Sequence, residues 1–246
     1  MKKKVVKKTP AASAALIEDL VAGSRILAKE GVLDGYGHIS ARSDKRPEHF
    51  IMSRSRAPAL VTAADLMELD ADSEPLPGES RKGFIERYIH GEIYRTRPDV
   101  MAVVHSHSPS VIPFGVTKTK LRPVYHMGSF LWSGAPVWDI RKVREDNDVL
   151  VRDRPLGAAL AAALGKCTCV LMRGHGMTVV GDSVQEVVFR AIYTEMNARL
   201  QLQATQLEGP IEFLTEEEGR RSQASNRGTI ERPWELWKKN ALRGNR

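Results

Sequence analysis

Two of the chain's seven histidines, His105 and His107, share one tripeptide directly after a run of valines, in the stretch AVVHSHSPS from Ala102 to Ser110. If the apolar run is a strand, residues two apart face the same way at a spacing of about 7 Å. Both imidazoles then point to one side of the strand's end. Neutral imidazole is the commonest protein ligand for a divalent transition metal, and two rings on a stiff strand form a preorganised half-site. Taken alone, the pair equally suits two polar residues turned to water. His175 shifts the balance. It follows another apolar run, in LMRGHGMTVV, and is flanked by Gly174 and Gly176, which permit turns that a residue with a Cβ resists. Three imidazoles around one dication leave coordination positions open for substrate, the mark of a catalytic rather than a structural site.

The elements that must carry these rings can be read from periodicity. Residues 11–30 hold Leu16, Ile17, Leu20, Val21, Ile26 and Leu27 at helical spacing. Glycines 31, 35 and 37 break that helix before a strand at HISAR, with HFIMSRS as its hairpin partner and a short strand around Leu66–Leu69. KGFIERYIHGEIYRTRPDV reads as a helix with an apolar stripe of Phe84, Ile85, Tyr88, Ile89 and Ile93, stopped by Pro98. The strand bearing HSH follows, then a short strand in GAPVWDI and a helix within 153–164. CTCVLM is a buried strand leading to His175, and SVQEVVFRAIYTEMNARLQLQATQ is a long amphipathic helix. From Glu208 the chain is polar except for RPWELW, whose two tryptophans are expected to dock. Interleaved helices and strands without repeats imply an α/β fold, with a mixed sheet covered by helices in a three-layer αβα arrangement.

The 246 residues suffice for one substantial domain, and no apolar run reaches the ~20 residues that span a bilayer. The basic start lacks the apolar core of a signal peptide. The net charge of +7 is concentrated at the tips: five lysines lie in the first eight residues, and Lys238, Lys239, Arg243 and Arg246 in the last nine. Such tips read as solvated tails, and no aromatic-rich basic motif accompanies them, so neither nucleic acid nor membrane is expected as a partner. Cys167 and Cys169 are too close to staple a fold and read as reduced, which fits a cytoplasmic protein; a metal site on that pair would need further thiols. The expected organisation is a basic tail over 1–10, a catalytic domain over 11–208 and an extension over 209–246.

Three stretches, GHISAR, RPDVMAVVHSHSP and LMRGHGM, in this order and spacing, resemble the anchors of the class II aldolase/adducin family, the fold of fuculose-phosphate aldolase. The likeness covers roughly residues 12–205. It implies a divalent cation (Mn2+, Zn2+ or Fe2+) held by His105, His107 and His175, and homo-oligomers, often homotetramers, with sites at subunit contacts. The family's acid–base glutamate stands four residues ahead of a histidine; Glu86, four ahead of His90, matches it.

Departures from the sugar-phosphate aldolases indicate the substrate. Where those enzymes carry an asparagine, this chain has His38. Their Thr-Gly loop is replaced by SRSRAP, with Ser53, Arg54 and Arg56, and their Ser-Ser pair by Phe84 and Ile85. Phosphate needs donors at close range, and the side chains of Phe84 and Ile85 offer none. Guanidinium groups suit planar carboxylates through forked hydrogen bonds. The pattern is similar to the family's decarboxylase branch, which acts on hydroxylated aromatic or heteroaromatic dicarboxylates of the dihydroxyphthalate or hydroxymethylpyridine-dicarboxylate type. That likeness implies a lyase of aromatic catabolism. On that likeness a ring hydroxyl and its neighbouring carboxylate would bind the dication, Arg54 or Arg56 would grip the second carboxylate, and the ring carbon would be protonated after CO2 leaves. Glu86, His38, Tyr125 and His126 are candidates for that proton; His126 also suits substrate contact or a place in the core or an interface, and His90 reads as structural. Two alternatives stay open: an aldolase or dehydratase of a small hydroxy-carbonyl or sugar-phosphate substrate, and a non-catalytic adducin-like scaffold, which has no use for three metal-type histidines.

Overall fold

A computed structural model of the chain describes residues 10–242. Helix α1 (Ala14–Lys29) begins at Ser13, whose hydroxyl accepts from the Leu16 N–H and satisfies one of the free donors of the first turn. Strands β1 (His38–Arg42), β2 (Phe50–Ser53) and β3 (Leu66–Leu69) follow as an antiparallel meander. Helix α2 (Arg87–Thr96) leads to strand β4 (Ala102–Ser106), and the short helix α3 (Ile112–Val116) lies just beyond it. Strand β5 (Val137–Trp138), helix α4 (Arg154–Leu164), strands β6 (Cys169–Met172) and β7 (Gly176–Gly181) and the long helix α5 (Val184–Ala204) complete the family-length core.

The seven strands form one mixed sheet in the order β3-β2-β1-β4-β7-β6-β5, antiparallel except for the β5–β6 pair. The two histidine-bearing ends, those of β4 and the β6–β7 turn, therefore meet at the centre of the sheet. Alternate residues of the central strands feed two separate cores. Ala102, Val104, Cys169 and Leu171 face α1 and α5, whereas Val103, Val170 and Met172 face α2 and α4. This is the expected three-layer αβα fold. Burying each such aliphatic side chain stabilises it by about 1.5–3 kcal/mol, so the central strands form a stiff base for whatever their ends carry.

Two expectations need correction. The helix read over KGFIERYIHGEIYRTRPDV begins only at Arg87, so Phe84 and Ile85 are not part of its stripe. Glu86 stands at the N-cap, but its carboxylate does not cap the helix; it is drawn instead to the Val151 N–H. The region after Glu208 is not merely a polar tail. It forms α6 (Glu216–Arg227), opened by a reciprocal Thr215–Glu218 capping box, and α7 (Glu231–Leu242). Trp234 of α7 is buried in the core beside α1 and Trp237 packs on its edge, so both tryptophans dock. Lys238 adds ion pairs to Glu18 and Asp19 of α1.

Cys169 is buried and Cys167 half-buried, both free. Among the described residues no helix is long and apolar enough to cross a membrane. The basic tail, apart from Pro10, lies outside the described residues, as do Arg243 and Arg246.

Candidate metal centre

His105 is the next-to-last residue of β4, paired across the sheet with His38 on β1 and Thr178 on β7. It is fully buried. Its Nδ1 lies 3.1 Å from the Met177 carbonyl, which can only accept, so Nδ1 carries the proton and Nε2 the lone pair. That buried Nε2 has no hydrogen-bond partner. His175, in the β6–β7 turn, is held the same way: its Nδ1 donates to the Val149 carbonyl at 2.9 Å, and its Nε2 faces the Nε2 of His107 at 3.1 Å. Glu86 closes the group. Its Oε2 lies 3.4 Å from His105 Nε2 and 3.5 Å from His175 Nε2, while its Oε1 accepts from the Val151 N–H at 3.0 Å.

Four ligand atoms, three imidazole nitrogens and one carboxylate oxygen, thus lie within 4.8 Å of one another. A dication fits this set on three grounds. The donor types suit Mn2+, Zn2+ or Fe2+. An orphaned buried nitrogen is costly unless something binds it. The second nitrogens of two rings are anchored to main-chain carbonyls, the arrangement that orients metal-binding histidines. The electrostatics agree. Burial opposes ionisation of Glu86, but His105 and His175 outweigh it and hold the carboxyl below its usual range. Burial, reinforced by His105 and His175, brings His107 down to about 4, so its lone pair is free at neutral pH.

Behind the group runs a buried polar chain. His38 Nδ1 lies 2.7 Å from His90 Nε2, His90 Nδ1 lies 2.6 Å from Ser40 Oγ, and that hydroxyl lies 2.7 Å from Tyr94 OH. Burial lowers His90 to about 3 and also depresses His38. His90 is fully buried and links His38 to Ser40.

In front lies a cleft of about 330 Å³, lined by Glu86, His107 and His38 together with Phe84, Ile85, Ser55 and Arg56. Phe84 packs on the His38 ring at a centroid distance of 4.5 Å. The Arg56 Nε donates to the Leu60 carbonyl and its terminal amines carry no hydrogen bond among the described residues. The other residues singled out from sequence lie elsewhere. Ser53 is buried in β2, and the Arg54 Nε is bound to Asp65 at 2.7 Å. Tyr125 packs against Tyr193 of α5, with its hydroxyl buried and unpartnered, and His126 is exposed at the start of a 3-10 segment. A single chain does not bring these four to the cleft.

Sequence reasoning missed five residues. Tyr36, Lys82 and Leu150 line the cleft. Tyr36 sits between Gly35 and Gly37, a signal that was available. Val149 and Val151 anchor His175 and Glu86 through main-chain atoms, which no side-chain pattern reveals. Val149 has a φ of 62°, a left-handed conformation that costs a β-branched residue about 1–3 kcal/mol.

The fold has counterparts among known proteins. Residues 18–202 match the family described as Class II Aldolase and Adducin N-terminal domain. The chain belongs to this family. It is 40% identical over 244 residues to decarboxylase tropJ of Talaromyces stipitatus, covering 90% of this chain and 92% of that protein. It is 34% identical to a 3,4-dihydroxyphthalate decarboxylase of Arthrobacter keyseri, over 84% of this chain and 85% of the relative. An L-fuculose 1-phosphate aldolase from Glaciozyma antarctica superposes with a TM-score of 0.75 at 23% identity, over 93% of this chain and 88% of that one, which establishes the shared fold. The relatives place the chain in the family's decarboxylase branch.

Proposed function

We propose that the chain is a metal-dependent decarboxylase of a hydroxylated aromatic or heteroaromatic dicarboxylate. The observation that carries this reading is the convergence of His105, His107, His175 and Glu86 beside a cleft whose other walls are Phe84, Ile85 and Arg56. His105, His107, His175 and Glu86 would hold a dication, which when bound would supply Lewis-acid stabilisation of the negative charge that develops as CO2 leaves. The chain's own residues do the rest. Phe84 and Ile85 cover a flat ring and exclude water. Arg56 and Lys82, whose terminal amines and ammonium carry no hydrogen bond among the described residues, receive the second carboxylate. Glu86 and His38 line the cleft; Glu86 is ionised at rest, so the ring carbon takes a proton that one of these two first accepts from the substrate hydroxyl or from solvent.

Arg54 and Ser53 support this wall from behind. Arg54 and Arg56 share Asp65, which ties the loop that presents Arg56. We further place the chain in a homo-oligomer, a homotetramer by family likeness, in which Tyr125 and His126 belong to subunit contacts. Two free cysteines fit a cytoplasmic enzyme.

The test is incubation of Mn2+-, Zn2+- or Fe2+-loaded protein with 3,4-dihydroxyphthalate, a hydroxymethylpyridine-dicarboxylate and L-fuculose 1-phosphate. Release of CO2 from a ring dicarboxylate is the expected result. Aldehyde release from the sugar phosphate with no CO2 from any ring acid would replace this reading with the aldolase one, and turnover of neither would favour a scaffold.

A further inference from the structure

The loop between β5 and α4 holds half of the metal site without contributing a side chain to it. The Val149 carbonyl accepts from His175 Nδ1 at 2.9 Å, and two residues on the Val151 N–H donates to Glu86 Oε1 at 3.0 Å. Both contacts depend on the main chain turning at Val149, the position with φ of 62°. Valine does not take that conformation unaided. Something must impose it.

Asn147 is placed to do so. Its Oδ1 accepts from the Val149 N–H at 3.1 Å, an Asx turn over Asp148 that fixes the peptide entering the left-handed residue. Its Nδ2 donates to the carbonyls of Arg144 at 2.8 Å and Glu145 at 2.9 Å, which fixes the side chain to the preceding backbone. Asp148 adds a second brace of the same kind, accepting from the Leu150 N–H at 3.3 Å. The side chain of Asn147 makes no hydrogen bond with Glu86 or any of the three histidines; its hydrogen bonds all go to main-chain atoms of this loop.

We propose that Asn147 is a positioning residue for the metal centre. Its three hydrogen bonds fix the peptide plane that enters Val149, Asp148 closes the turn across Val149, and the strained turn in turn fixes the tautomer of His175 and the rotamer of Glu86. This inference rests on the metal reading of the site, and wild-type binding tests that reading separately.

The experiment is calorimetric titration of chelator-stripped full-length protein with Mn2+, alongside melting of the metal-free form followed by circular dichroism. Asn147→Ala should weaken Mn2+ binding 10- to 100-fold, the range found when an outer partner of a metal ligand is lost, with an unchanged far-ultraviolet spectrum. The double variant Asn147→Ala/Val149→Gly decides the mechanism. Glycine adopts positive φ at no steric cost, so the double variant should regain at least threefold of the lost affinity. If Asn147→Ala does not fold, Asn147→Asp, which keeps the acceptor and loses both donors, takes its place under the same criteria. Wild-type affinity in the folded single variant, or no recovery in the double variant, overturns the proposal. Absence of Mn2+ binding by the wild type would instead overturn the metal reading itself.

Discussion

Replacing Gly176 by alanine should damage the metal centre without altering any ligand. Gly176 opens β7 and follows His175 directly. A Cβ built there falls inside the van der Waals shell of the Ser106 carbonyl oxygen and only 3.0 Å from the Cα of His107. Both obstacles are backbone of the segment that carries His105 and His107, so no flexible side chain can swing aside. Close-packed interiors leave no slack, and relieving the overlap takes a displacement on the order of 1 Å between the two histidine-bearing segments. Overpacking of this kind costs about 1–3 kcal/mol of stability. A working constellation tolerates only about 0.5 Å, and His107 Nε2 now sits 3.1 Å from His175 Nε2. The expected result is a 10- to 100-fold loss of Mn2+ affinity by calorimetry, the magnitude typical of disturbed ligand orientation. Gly174→Ala is the control. A Cβ there meets nothing within 4 Å, and only its φ of +66° is strained, so affinity should change less than at Gly176. Wild-type affinity in a folded Gly176→Ala protein would refute the argument that the β4–β7 register sets the site.

Further outcomes follow from the same geometry. Glu86→Gln keeps an acceptor for the Val151 N–H but removes the anionic ligand, so decarboxylation should fall by at least 100-fold with little change in melting temperature, measured by CO2 release and calorimetry. Lys82→Met should raise KM for a ring dicarboxylate about tenfold, as expected for loss of one charge-assisted contact, while KM for the matching monocarboxylate stays constant in steady-state assays. Stability of the metal-free protein should fall as pH drops from about 6.5 toward 3. Buried His90 stays neutral in the folded state down to about 3, whereas the unfolded chain takes up its proton near the ordinary value, so acid favours unfolding. Chemical denaturation across pH 3–8 measures this, and His90→Gln should flatten the slope.

His105 and His107 could be read from sequence because they close an apolar run whose alternation turns both rings one way, whereas His175 lies in a turn and was legible only as a third histidine just beyond a second apolar strand. The apolar run Ala102, Val103, Val104 alternates faces in the fold and feeds both cores. Glu86 was reachable only through the family resemblance. It lies before its helix rather than on it, held by an N–H that a residue 65 positions away supplies. Arg54 and Arg56 looked equivalent in SRSRAP; only the fold reveals that Arg54 sits against Asp65 outside the cleft while Arg56 lines it. Lys82 reaches the cleft because its carbonyl pairs with the Ser55 N–H, a long-range contact with no periodic signature. Helix α6, rich in charged and small polar residues, gave no apolar stripe to read, although its capping box was present in the sequence.

Metal stoichiometry tests the three-histidine centre most directly. Purified protein stripped with chelator and reloaded with Mn2+, Zn2+ or Fe2+ should retain close to one equivalent per chain by elemental analysis, and His105→Ala should lose it. Retention below a tenth of an equivalent for all three ions, in protein that is folded, would contradict the account.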